Sequence, residues 1–114
     1  MSDLHVLEIS GLPLKTAESS LRTWLEEQVG GDLFNEIKRI SLMTDVEYQS
    51  RETSRRSGIK ITASQEKAQA LNCFIGFDNP NTLQQFQESL SGAKFEGNAI
   101  MSQRSGLTGS EIFV

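Results

Sequence analysis

The chain has 114 residues, of which 37% are hydrophobic and 23% charged, with a formal net charge of −4 and a pI near 5.0. That length holds one hydrophobic core and is too short for two ordinary domains, and the composition excludes a chain too polar to fold. The acidic balance excludes a global positive field able to draw in a polyanion, so any nucleic-acid contact has to be local. Cys73 is the only cysteine, which rules out an intramolecular disulfide or a multi-cysteine zinc site and marks the residue as a core filler. No apolar run approaches the roughly eighteen residues that span a bilayer, and the N-terminus lacks the basic and apolar segments of a signal peptide. The expectation is a cytoplasmic or nuclear protein with no cofactor, no metal, no membrane contact and no small-molecule substrate.

Leu4 to Ile9 is apolar and β-rich and is followed by the breakers Gly11 and Pro13, so it reads as a first strand. Thr16 is placed to cap a helix in which Ala17, Leu21, Trp24, Leu25 and Val29 recur at steps of three and four; Gly30 and Gly31 end it. Trp24 belongs to that apolar stripe and reads as core. After a connection holding Leu33 and Phe34, Lys38 to Thr44 alternates, with Ile40 and Leu42 on one face and Arg39, Ser41 and Met43 on the other. From Asp45 to about Gln69 the pattern fades into a polar stretch, expected to be a long mobile loop, interrupted only by Ile59 and Ile61. Arg51, Arg55, Arg56 and Lys60 gather positive charge there as candidate phosphate contacts, offset in part by Glu47, Glu52 and Glu66.

Leu71 to Phe77 is the clearest strand, with Cys73, Ile75 and Phe77 on one face and Asn72, Phe74 and Gly76 on the other. Asn79 and Pro80 form a helix start, and Leu83, Phe86 and Leu90 make that helix's apolar stripe before Gly92 closes it. Ala99 to Gln103 supplies a short last strand. The order βαββαβ predicts an α+β, ferredoxin-like domain over residues 1–104. In it a four-stranded antiparallel sheet carries two helices on one face and leaves the other open, and residues 105–114 follow as a tail.

Leu7-Glu8-Ile9-Ser10-Gly11-Leu12-Pro13 resembles one ribonucleoprotein signature of the RNA recognition motif (RRM). Leu71 to Phe77, with Gly92, Phe95 and Gly97 beyond it, resembles the other. The resemblance covers about residues 4–103 and implies an open sheet face on which exposed aromatics stack RNA bases. The residues at the stacking positions depart from that pattern. The first-strand aromatic falls on Glu8, the basic opener on Ala70, the first third-strand aromatic on Asn72, and only the second survives, as Phe74. Each lost stack removes about 1–3 kcal/mol, and a carboxylate at Glu8 repels phosphate. A subset of the family binds tryptophan-bearing peptides on its helical side through Arg-any-Phe; Ala93-Lys94-Phe95 keeps the phenylalanine and loses the arginine.

The projected open face holds Val6, Glu8, Ser10, Arg39, Ser41, Met43, Asn72, Phe74, Ala99, Met101 and Gln103. Of these Val6, Glu8, Arg39, Met43, Asn72, Phe74 and Met101 are the candidate contacts for a partner or RNA. Its apolar centre suits docking of another subunit or self-association as a dimer. It equally suits covering in cis by the apolar tail residues Leu107, Ile112, Phe113 and Val114. His5 is the sole histidine, has no nucleophile beside it in sequence, and no phosphate-binding glycine loop is present, so no catalytic site is expected. Two functions stay open. One is an interaction module of a ribonucleoprotein or RNA-processing complex, docking a protein partner; the other is single-stranded RNA binding through Phe74 and the basic residues.

Overall fold

The computed structural model describes residues 4–57 and 70–113. It begins with strand β1 (His5–Leu12), helix α1 (Glu18–Val29), a single-turn helix α2 (Gly31–Phe34) and strand β2 (Arg39–Thr44). Helix α3 (Asp45–Ser57), strand β3 (Leu71–Phe77) and helix α4 (Pro80–Ser89) follow. A small hairpin of β4 (Lys94–Phe95) and β5 (Asn98–Ala99), strand β6 (Met101–Arg104) and a short helix α5 (Gly109–Ile112) complete the chain. The main sheet has the order β2-β3-β1-β6 with antiparallel pairing throughout, the ferredoxin-like α+β arrangement expected from the order of elements.

The principal core lies between one face of this sheet and helices α1 and α4. Leu7 and Ile9 of β1 and Cys73, Ile75 and Phe77 of β3 meet Leu21, Trp24 and Leu25 of α1 and Leu83, Phe86 and Leu90 of α4. These are the period-two and period-three-to-four apolar sets of the sequence, brought face to face. Phe77 and Phe86 pack with ring centroids 5.2 Å apart. Trp24 is buried, donates its indole N–H to the Lys94 carbonyl at 2.9 Å and meets Phe95 edge-on at 5.3 Å.

Helix boundaries follow local chemistry. Asn79 accepts from the Asn81 amide at 2.8 Å with Pro80 in the first turn, as the sequence predicts. Thr16, expected to cap α1, does not: its hydroxyl donates to the Pro13 carbonyl at 2.7 Å, closing a turn, and the helix begins one turn-residue later with Ala17 as its N-cap. The last strand is shifted as well. Ala99 pairs with Lys94 in the hairpin, whose turn residues Glu96 (φ 51°) and Gly97 (φ 81°) are both left-handed, the geometry that joins two twisted strands in two residues. The strand that completes the sheet is therefore Met101–Arg104.

The largest departure from expectation is α3. The first thirteen residues of the stretch read as a long mobile loop are helical. The Thr44 hydroxyl accepts from the Glu47 amide at 3.1 Å, Asp45 accepts from the Val46 amide at 3.0 Å, and Glu47 pairs with Arg51 one turn on at 3.2 Å. Its local signals are the polar contacts at its start and the Glu47–Arg51 pair rather than an apolar stripe, so hydrophobic periodicity does not reveal it. The rest of the expected loop, residues 58–69 with Lys60, Ile59 and Ile61, lies outside the described residues.

Candidate functional site

The face of the sheet turned away from α1 and α4 is the one on which the sequence places the candidate contacts. Its middle row runs Ser41, Phe74, Glu8 and Gln103 across β2, β3, β1 and β6. Rather than standing open, it carries a second apolar cluster. Val6, Met43 and Phe74 from the sheet are buried against Leu107 and Ile112 of the tail, with Tyr48 of α3 and Phe113 packed at the margin. Phe74, the one aromatic at the positions where the family resemblance implies base stacking, is 0% exposed. Tyr48 lies nearly parallel to it, with centroids 5.2 Å apart and planes 19° from parallel. The chain's own tyrosine thus takes the stacking partnership that a nucleobase would need.

Polar groups fasten this cover. Glu8 is 5% exposed, and its carboxylate accepts from the Gln103 amide at 2.8 Å. The Ser105 side chain and the Gly106 backbone act to lower the pKa of the Tyr48 hydroxyl. Burial, with the Glu8 charge second, nevertheless pushes the phenol above its ordinary value. Arg51 reaches from α3 to the far end of the tail helix and donates to the carbonyls of Glu111 at 3.1 Å and Ile112 at 2.7 Å. Those are two of the carbonyls a helix end leaves without internal partners. At its start, α5 is closed by Glu111, whose carboxylate accepts from the Thr108 amide at 2.9 Å.

Gly76 completes the fit. A methyl group there would lie 2.7 Å from Leu4 and 2.9 Å from Phe113, so the missing side chain is the space into which the N-terminal segment and the tail pack.

The residues picked out by sequence are distributed unevenly over this geometry. Val6, Glu8, Met43, Asn72 and Phe74 lie together on the face and are buried. Arg39 is exposed at the start of β2, and Met101 is 71% exposed on β6, outside the apolar cluster. Ala99 sits in the β4–β5 hairpin, not on the main sheet. Of the basic residues, Arg51 is engaged in the contacts just given, Arg55 and Arg56 fall on the last turn of α3, and Lys60 lies outside the described residues.

The residues sequence reasoning missed are Tyr48 and the bracing role of Arg51. The signal was the run Thr44-Asp45-Val46-Glu47, a helix-start pattern, with Arg51 four residues after Glu47. On the helical side, Phe95 is buried beneath Trp24, so the ring that would receive a partner's tryptophan already holds the chain's own. Among the described residues no group of acidic, histidine and cysteine side chains is placed to hold a metal ion, and no helix is long and apolar enough to cross a membrane.

No protein-family model and no curated protein matches the sequence. Solved structures do match the fold. The chain aligns with the Mip6 RRM3 domain at 13% identity and a TM-score of 0.55, covering 92% of this chain and 96% of that one. A C-terminal RRM domain of MEC-8 bound to AGCACA aligns at 16% identity and 0.54, over 93% and 95% of the two chains. The Rna15 RRM with bound RNA (GU) aligns at 14% and 0.54, over 90% and 83%. At these identities the likeness is one of fold: the chain has a divergent RRM fold.

Proposed function

We propose that this chain is a non-catalytic RRM-type module that docks a protein partner within a ribonucleoprotein or RNA-processing assembly, with RNA contact weak or auxiliary. The observation that carries it is the closed sheet face: Phe74 is fully buried, Tyr48 is stacked on it, and Glu8 replaces the first-strand ring. A single-stranded RNA would have to displace the tail and Tyr48 before it found one aromatic, and it would meet a carboxylate beside that ring. The surfaces left for a partner are the strand edges and the helical side.

Single-stranded RNA binding is the second reading, supported by neighbours of the same fold solved with bound nucleotides. On this reading the tail acts as a cover that RNA displaces. Fluorescence anisotropy of the full chain with a randomised single-stranded RNA pool, at low and near-physiological salt, separates the two. The expected result is weak binding erased by salt. Micromolar or tighter binding at physiological salt, strengthened when the tail is loosened by Arg51→Met, would establish the second reading instead.

A further inference from the structure

The two edges of the sheet are not alike. On the β6 side, one strand carbonyl, that of Ser102, accepts from the Gln87 side chain of α4 at 3.1 Å. On the β2 side, no described segment pairs with the outer edge of Arg39–Thr44. An edge that pairs with no other strand among the described residues presents a row of main-chain donors and acceptors to another extended chain.

At the start of that edge, a pocket of about 220 Å³ opens between α1, α2 and β2. Three cations line it: Arg22, Lys38 and Arg39; Phe34 and Ile37 form apolar wall, and no carboxylate lines it. Arg22 is paired with Glu18 at 3.2 Å and Lys38 with Asp78 at 3.7 Å, both between exposed side chains, while Arg39 has no ion pair among the described residues. In a chain of net charge −4, Arg39 is thus a cation at the edge with no carboxylate of the described residues paired to it.

We infer that the outer edge of β2 and the basic pocket at its start form a docking site for an extended acidic segment of a partner protein. The inference rests on the protein-module reading and names the partner's chemistry. Such a segment adds a strand to the sheet through main-chain hydrogen bonds, while an acidic side chain enters the pocket and meets Arg39 and its neighbours. The side chains between the acidic ones point to the opposite face of the added strand, away from the pocket. An RNA strand shares the negative charge but has no peptide backbone to match the edge, and an acidic protein repels a long polyanion; the geometry therefore favours a peptide.

The test titrates the full chain with a fluorescein-labelled pool of eight-residue peptides carrying Asp or Glu at alternate positions and Val or Ile between them. A pool with Lys at the acidic positions and a mixed-sequence single-stranded RNA are run beside it. Saturable binding of the acidic pool, amide shifts confined to residues 37–44 and the pocket, and a loss of about tenfold or more in Lys38→Glu/Arg39→Glu support the site. Both substituted residues are exposed, so circular dichroism is expected to keep its wild-type form and the unfolding midpoint to fall only by the small worth of the surface Lys38–Asp78 pair. Absence of acidic-pool binding, or equal binding of the Lys pool, overturns the docking site while leaving the protein-module reading in place. Binding of the RNA at residues 37–44 at physiological salt overturns both.

Discussion

Replacing Arg51 by methionine keeps the unbranched stem and removes the guanidinium that joins α3 to the tail. Two N–H···O contacts disappear, at 3.1 and 2.7 Å, leaving the Glu111 and Ile112 carbonyls without that donor. A hydrogen bond from a charged donor contributes about 1.5–3 kcal/mol when buried. The Arg51 side chain is 32% exposed, so water recovers part of this, and about 1 kcal/mol per contact is the appropriate scale. The sum, about 2 kcal/mol, corresponds to roughly a thirtyfold rise in the population with the tail released. The Glu47 pair is a surface contact one helical turn away and adds only about 0.3–0.5 kcal/mol. Glu47→Gln is therefore the control.

Hydrogen exchange read residue by residue is the assay. In Arg51→Met the amides of Ile112 and Phe113, which bond to Thr108 and Gly109, are expected to exchange about thirtyfold faster. Amides pairing β1 with β3 should be far less affected, because they sit in the sheet that α1 and α4 cover on the other side. If those tail amides quicken less than threefold, or if Glu47→Gln matches the arginine variant, the role given to Arg51 is wrong.

Tyr48 is the only tyrosine, so phenolate absorbance reports it alone. Its folded value is raised above 10.0, so its neutral form contributes stability that is fully present below pH 10 and is lost as pH rises through the folded value. The absorbance midpoint should exceed 10, and Glu8→Gln should lower it by removing the nearby charge; a midpoint at or below 10 in the native protein contradicts the buried stacking. Gly76→Ala sets a methyl group against Leu4 and Phe113 and is expected to destabilise by about 1–3 kcal/mol in urea unfolding, with faster exchange in the tail; an unchanged midpoint would mean that the face is looser than described. Cys73 is fully buried and its thiol is held well above its ordinary value by burial, so a disulfide reagent should label it only after denaturant unfolds the chain, and prompt labelling of the native protein would argue against the packing of β3.

The sequence by itself determined the principal fold. Alternating apolar positions in Leu71–Phe77, the stripes of α1 and α4 and the Asn79-Pro80 start are local signals, and the order of elements limits the sheet to few arrangements. The substitutions at Glu8 and Asn72 were equally legible, since they depend only on strand phase.

What covers the second face was decided by tertiary structure. The apolar tail left covering in cis and docking of another subunit equally open, because Leu107, Ile112 and Phe113 carry no address of their own. The address comes from Gly76, which makes room, from Phe74, which offers a ring, and from Arg51, which holds the end of α5. Helix α3 was hidden for the same reason. Its Tyr48 finds its apolar partners outside the helix, in the cluster of sheet and tail residues, across a distance in sequence that periodicity does not register.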